Sequence, residues 1–130
     1  MRDLEESFGK NAGKIWEILN KNNQLSKENI LKKTKLREID FYTGLGWLAK
    51  ENKVFKLNED EFKLGFSNLD EKIGTNAGKV WKVMDIWGEV DISTISRLAY
   101  IDKQDVYAAL GWLAREDKIC NNENDKYNLK

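Results

Sequence analysis

Residues 9–16 read Gly-Lys-Asn-Ala-Gly-Lys-Ile-Trp, and residues 74–81 read Gly-Thr-Asn-Ala-Gly-Lys-Val-Trp. A second matching pair lies further along the chain. Residues 45–54 read Leu-Gly-Trp-Leu-Ala-Lys-Glu-Asn-Lys-Val, and residues 110–119 read Leu-Gly-Trp-Leu-Ala-Arg-Glu-Asp-Lys-Ile. Both pairs are offset by 65 positions, and the two halves of the 130-residue chain align without a gap at 20 identities. Because such repeats define an architecture, we predict two tandem units, residues 1–65 (unit 1) and 66–130 (unit 2).

Three helices are predicted in each unit. Apolar residues recur with helical spacing after Asn11 and after Asn76, which places these asparagines as N-caps of the first helix. A short extended piece follows. Ser26 and Asp91 are then expected to begin a second, short helix, and a turn leads into a longer third helix.

The period of the apolar residues changes near the end of each unit. Residues 54–64 and 119–129 alternate around a polar turn, which predicts a β-hairpin. Helix, short strand, helix, turn, helix and two-stranded wing is the order of a winged helix-turn-helix. The predicted fold class is therefore mostly α with small β-wings (α+β), built as two tandem winged helix-turn-helix units. Because a 65-residue unit buries little surface alone, we expect the two units to contact each other.

The two repeated motifs also resemble a known family. Asn-Ala-Gly-Lys-(Ile/Val)-Trp followed by Leu-Gly-Trp-Leu-Ala-(Lys/Arg)-Glu-x-Lys is similar to small winged helix-turn-helix domains of archaea and bacteria whose biological role is unassigned. The resemblance covers nearly the whole chain and implies the same fold as the element order. Its usual member has one such unit, so the duplication is a departure that allows one copy to be specialised.

The composition excludes several classes of function. Cys120 is the only cysteine and histidine is absent, which removes Cys/His metal sites and imidazole-based catalysis. No apolar run is long enough to cross a membrane, and the amino terminus lacks the pattern of a signal peptide. We therefore expect a cytoplasmic binding protein with no cofactor, and not an enzyme.

Basic residues are concentrated around the predicted helix-turn-helix of unit 1, where such proteins meet DNA. Unit 1 carries a net charge of +2 and unit 2 a net charge of −2. The leading hypothesis is weak binding of double-stranded DNA through unit 1, in a transcription- or chromosome-related role, with unit 2 as a packing or dimerisation partner. The candidate DNA-binding residues are Lys27, Lys32, Lys33, Lys35 and Arg37, with Lys56 on the wing.

The alternative is a protein-interaction scaffold. Net charge is zero and the sequence pI is about 6.4, whereas nucleic-acid binders generally carry a basic excess. In unit 2 the turn is apolar at Leu98, Tyr100 and Ile101. Trp47 and Trp112 are further candidate protein-interface residues, since either could face the wing, the other unit or a partner.

We interpret four glycines as positions at which close packing leaves no room for a side chain. Gly9-x-x-x-Gly13-Lys14 differs from a phosphate-binding loop, because its spacing is short and no Ser or Thr follows the lysine. Gly46 and Gly111 stand inside a predicted helix, where glycine costs about 1 kcal/mol relative to alanine. Their recurrence indicates that another backbone or ring needs the space.

Overall fold

The computed structural model describes residues 4–122 and 124–130, and within them each unit folds as three helices followed by a β-hairpin. Unit 1 contains α1 (Leu4–Lys21), β1 (Leu25–Ser26), α2 (Lys27–Thr34), α3 (Glu38–Lys50), β2 (Val54–Lys56) and β3 (Glu61–Leu64). Unit 2 contains α4 (Asp70–Trp87), α5 (Ile92–Ala99), α6 (Lys103–Arg115), β4 (Ile119–Asn121) and β5 (Tyr127–Leu129). The predicted fold class and order of helices are confirmed.

The first helix of each unit starts well before the predicted asparagine, so the N-cap prediction is wrong. Asn11 lies inside α1 and Asn76 inside α4, and both are buried. The Asn11 Nδ2 donates a hydrogen bond to the Thr43 Oγ1 at 3.1 Å. The apolar stripe of α1 extends from its first turn, through Leu4, Phe8, Ala12, Ile15 and Leu19.

The second helices begin as the sequence predicted. The Ser26 Oγ accepts a hydrogen bond from the Asn29 amide at 3.1 Å, and the Asp91 Oδ1 accepts one from the Thr94 amide at 2.8 Å. Such caps satisfy amides that have no partner within a helix. Each helix ends at a residue in the left-handed conformation, Lys35 or Tyr100.

Both predicted wings are present as antiparallel hairpins. In unit 1, β3 lies between β2 and β1, with Val54 opposite Leu64 and Leu25 opposite Phe62. In unit 2, β4 pairs with β5, and the expected short strand is reduced to a bridge between Val90 and Tyr127.

The two units contact each other, as expected, and they also share their cores. Phe8, from the start of α1, packs into the core of unit 2. Ile73, its counterpart in α4, packs into the core of unit 1. The exchange is reciprocal, so the first turn of each unit's first helix completes the other unit's core.

The third helices α3 and α6 cross at Gly46 and Gly111. A Cβ atom on Gly46 would lie 1.8 Å from the Ala108 carbonyl oxygen, and a Cβ on Gly111 would lie 1.9 Å from the Thr43 carbonyl oxygen. Only a residue without a side chain permits this approach. The interpretation that another backbone needs the space is thereby confirmed for both glycines.

The residues that follow these glycines surround the crossing symmetrically. The Arg115 guanidinium lies 5.7 Å from the Trp47 ring centre, and the Lys50 Nζ lies 5.0 Å from that of Trp112. Lys50 also pairs with Glu116 at 3.6 Å, and Arg115 with Glu51 at 3.1 Å. The repeated motif Leu-Gly-Trp-Leu-Ala-(Lys/Arg)-Glu therefore builds the junction between the units.

Candidate nucleic-acid interface

The third helix of unit 1, which in a helix-turn-helix is the one that enters a DNA groove, is largely enclosed here. It packs against α1 on one side and against α6 on the other. Among its thirteen residues only Glu38, Ile39 and Lys50 are exposed. Its accessible parts are therefore its first turn, together with the turn that precedes it, and Lys50 at its end.

Two of the predicted DNA-binding residues direct their charges to partners within the protein. The Lys27 Nζ donates a hydrogen bond to the Tyr42 hydroxyl at 3.2 Å and lies 3.6 Å from Glu38. The Arg37 guanidinium makes a two-point contact with Asp40, at 2.9 and 3.0 Å. The hydrogen bond to Tyr42 raises the pKa of Lys27, and the bond to Asp40 raises the pKa of Arg37.

Lys56, on the wing, lies away from the helix-turn-helix turn. Its Nζ sits 5.9 Å from the Phe62 ring centre. With Lys27 and Lys72 it lines a cavity of about 290 Å³ whose acidic residues are Glu59, Asp60 and Asp105. Because the lysines and the carboxylates balance, this cavity has no basic excess to favour phosphate.

The remaining three predicted residues stay available at the carboxyl end of α2. Lys32, Lys33 and Lys35 are all exposed. Lys32 lies 3.6 Å from Glu28 in a solvated pair, which contributes little. Lys33 and Lys35 form no ion pair within the described part of the chain.

The repeat adds two lysines that sequence reasoning missed. In unit 2, Leu98 and Tyr100, the counterparts of Lys33 and Lys35, line one groove, and the α4 side of that groove includes the counterparts of two α1 lysines. Because the units share one fold, we infer that those lysines, Lys14 and Lys21, lie beside Lys33 and Lys35 in unit 1. We call this surface the basic face; its lysines are Lys14, Lys21, Lys33 and Lys35, and Glu17, the counterpart of Lys82, lies on it as well.

The charges on the basic face are only partly neutralised. Lys21 pairs with Glu17 at 3.5 Å, whereas Lys14 forms no ion pair among residues 4–122 and 124–130. The helix periodicity that places Lys14 and Lys21 on one side of α1 is readable in the sequence. Their inferred proximity to Lys33 and Lys35 depends on the packing of α1 against α2, which the periodicity of one helix does not contain.

The first turns of α3 and α6 meet at a cavity of about 370 Å³. The Tyr42 hydroxyl there lies 3.4 Å from the Gln104 Oε1, across the unit boundary. Glu38, Asp102 and Lys103 also line the cavity. This mixture of charges does not favour an anion.

The predicted protein-interface residues fall in three places. Leu98 and Tyr100 line the groove of unit 2, while Ile101 packs against the core of that unit. Trp47 and Trp112 lie at the junction between the units and contact both cores. The structure therefore does not bring these five residues into one surface.

Neither a metal centre nor a membrane span is present in the described residues. They contain no group of three or more side chains placed to hold a metal ion. None of their helices combines the length and apolar character needed to cross a bilayer.

Comparison with protein families gives a match to both units. The model of a family described as winged helix-turn-helix domain (DUF2582) matches residues 1–65 and again residues 69–129. The chain belongs to this family. The double match makes it a tandem duplication of the DUF2582 domain, and the resemblance carried by the repeated motifs is confirmed. Comparisons with curated proteins and with solved structures found no match.

Proposed function

We propose that this tandem DUF2582 protein binds double-stranded DNA through unit 1, in a transcription- or chromosome-related role. The observation that carries the proposal is the basic face beside the helix-turn-helix turn. Three of its lysines, Lys14, Lys33 and Lys35, have no ion pair within the described residues. Winged helix-turn-helix folds commonly present this region to the phosphate backbone.

The way in which the protein would contact DNA follows from which lysines have no ion-pair partner within the protein. An exposed lysine that has no internal partner releases counterions from DNA when it meets a phosphate, which makes binding favourable and dependent on salt. Lys27 and Arg37 contribute less, because Glu38 and Asp40 already neutralise them. Lys32 adjoins the basic face and adds a further weakly paired charge.

Because α3 is largely enclosed, it limits how well the protein could distinguish one DNA sequence from another. Sequence is read when side chains of this helix reach base edges in the major groove. The central part of α3 is packed against α6 at Gly46, so only its first turn and Lys50, at its end, are accessible. We therefore expect phosphate contacts to dominate, with moderate affinity and little preference for sequence. Unit 2 serves as the packing partner that holds α3 in place.

The test is fluorescence anisotropy of a labelled duplex, titrated with the protein at low and near-physiological salt. The variant Lys14→Gln/Lys33→Gln/Lys35→Gln removes the unpaired charges of the basic face. We expect its binding to weaken for every duplex sequence. The slope of log K against log salt concentration should flatten by about 0.9 for each phosphate that the variant no longer neutralises.

A matched control removes the same charge from unit 2. Lys103→Gln/Lys118→Gln/Lys126→Gln changes three exposed lysines away from the basic face. It should retain the affinity and salt slope of the natural protein. Equal decreases in affinity for both variants would show a general charge effect and contradict the proposal, as would undiminished binding of the basic-face variant.

A further inference from the structure

Unit 2 carries an exposed apolar groove between α4 and the end of α5. The groove has a volume of about 460 Å³, and its lining includes Ile86, Trp87, Leu98 and Tyr100. Ile86 is 62% exposed, Trp87 63% and Tyr100 92%. Apolar side chains so far exposed and so close together mark interaction sites more often than they stabilise a fold.

The duplication supplies an internal comparison for this groove. Unit 1 carries Lys21, Asn22, Lys33 and Lys35 at the positions equivalent to Ile86, Trp87, Leu98 and Tyr100, on the same scaffold. The fold therefore accommodates polar residues at all four sites. Leu98 packs partly against the core of unit 2, whereas Ile86, Trp87 and Tyr100 are largely exposed. The apolar character of these three residues is consequently a property of unit 2, with a reason outside its own packing.

The charge at the rim of the groove indicates which kind of ligand would fit it. Lys79 and Lys82 flank the apolar floor, and neither forms an ion pair in the part of the chain that the structure describes. The acidic residues nearest to the groove in sequence, Asp85, Glu89 and Asp102, do not line it. An apolar floor with an unneutralised basic rim complements a ligand with one apolar and one acidic side.

We propose that this groove binds an acidic amphipathic helix of a partner protein. Apolar side chains spaced three and four residues apart on such a helix would enter the groove beside Trp87 and Leu98. Its acidic side chains would face Lys79 and Lys82. The site goes beyond DNA binding by unit 1 and gives unit 2 a separate role, as the part of the molecule that recruits a partner.

Two other occupants fit the groove less well. In a twofold dimer the same surface meets itself, so the basic rims of two copies would be brought close together. Single-stranded nucleic acid prefers aromatic platforms along a basic channel. Here much of the lining, including Val83, Ile86 and Leu98, is aliphatic.

The experiment uses a phage-displayed library of random 16-residue peptides, selected on the full-length protein. Enriched peptides are then synthesised with a fluorophore, and their affinities are measured by anisotropy. The groove variant Ile86→Gln/Trp87→Asn/Tyr100→Gln changes only exposed side chains to polar ones. The control Phe66→Gln removes another exposed aromatic ring, which is 83% exposed and does not line the groove.

We expect enriched peptides with net negative charge and large apolar residues at helical spacing. Their affinity should fall at least tenfold in the groove variant, fall several-fold in Lys79→Gln/Lys82→Gln and stay unchanged in Phe66→Gln. Tyr100→Gln alone, at the most exposed position, should also weaken binding if the triple variant does not fold.

Three results would overturn the proposal. The first is a selection whose peptides bind the groove variant as well as the natural protein. The second is a concentration-dependent dimer, seen by light scattering, that the groove variant abolishes. The third is binding of labelled oligo(dT) that depends on the groove. DNA duplex titrations of the groove variant distinguish these outcomes from a failure of the proposed function, because Lys14, Lys33 and Lys35 remain intact.

Discussion

Lys27 and Arg37 belong to the same helix-turn-helix as Lys33 and Lys35, but their charges are paired with carboxylates of the protein. A carboxylate of α3 neutralises each of the first two, Glu38 for Lys27 and Asp40 for Arg37. The planar guanidinium of Arg37 matches the carboxylate at two points, which holds the side chain against α3. A basic side chain therefore remains available to a ligand only where no carboxylate of the protein lies close enough to pair with it.

Tyr127 carries a prediction at the residue scale. Burial raises the pKa of Tyr127 to about 12, above the value near 10 of an unfolded tyrosine. The folded state thus favours the neutral phenol, and this stability is complete below pH 10 and lost as pH rises toward 12. Tyr127→Phe should remove that loss, which is on the order of 3 kcal/mol above pH 12.

The measurement is urea denaturation of both proteins at pH 9 and at pH 11.5. Phe62 occupies the equivalent position in unit 1, so phenylalanine suits the site. The natural protein should lose more stability than Tyr127→Phe between the two pH values. Identical losses would show that the phenol of Tyr127 does not contribute to the alkaline destabilisation.

At the scale of elements, the contact between α3 and α6 depends on the close approach of their two backbones. Gly46 and Gly111 allow each helix to reach the carbonyl oxygens of the other, and the reciprocal ion pairs of Lys50 and Arg115 close over the crossing. This is why the most closely repeated motif in the sequence lies at the junction and not on the surface proposed for DNA.

Gly46→Ala tests the crossing. Its Cβ would collide with backbone at 1.8 Å, which no side-chain rotation can relieve, so the helices must separate. We expect a loss of at least about 3 kcal/mol, since overpacking a close contact costs roughly 1–3 kcal/mol or more. That corresponds to a decrease in Tm of roughly 10 °C for a chain of this size.

Gly13→Ala is the matched control, measured by the same thermal denaturation. A Cβ at Gly13 meets nothing within 4 Å, and the residue is exposed on α1, so the packing interpretation is wrong for this glycine. Alanine there should stabilise the protein by about 0.5–1 kcal/mol, because it has the higher helix propensity. A Gly46→Ala protein as stable as the natural one would contradict the proposed close crossing.

Sequence patterns within each helix or hairpin predicted these elements well. The predictions that were incomplete concern contacts between residues that are distant in sequence. The caps at Ser26 and Asp91 and both hairpins follow from residues within a few positions of each other. The start of α1 differs from the prediction although Leu4 and Phe8 continue the helical spacing of Ala12 and Ile15. Only their packing on the core of unit 2 could not be read from the sequence. The basic face was only partly predicted, since Lys14 and Lys33 come together through packing of separate helices.

At the scale of the whole molecule, the exchange of core residues makes the units interdependent. Phe8 completes the core of unit 2 and Ile73 that of unit 1, so neither unit keeps its full core if the other unfolds. We therefore expect the 130 residues to unfold in one cooperative transition, although the family match divides the chain in two.

Ile30 and Ile95 provide a matched pair for this prediction. They occupy equivalent positions and are both fully buried, one in each unit. Ile30→Val and Ile95→Val should each shift the same single urea transition, by about 1 kcal/mol. Circular dichroism and tryptophan fluorescence should give coincident curves. Two separate transitions, each sensitive to one substitution, would show that the units unfold independently.

The position at which DNA meets the chain is the most direct test of the proposed function. Amide NMR spectra of the protein, titrated with a short duplex at low salt, report which residues change environment on binding. We predict the largest shifts around Lys14, Lys33 and Lys35, with residues 43–49 of α3 and the whole of α6 unchanged. Large shifts along residues 43–49, or a spectrum that DNA leaves unaltered, would contradict binding through the basic face.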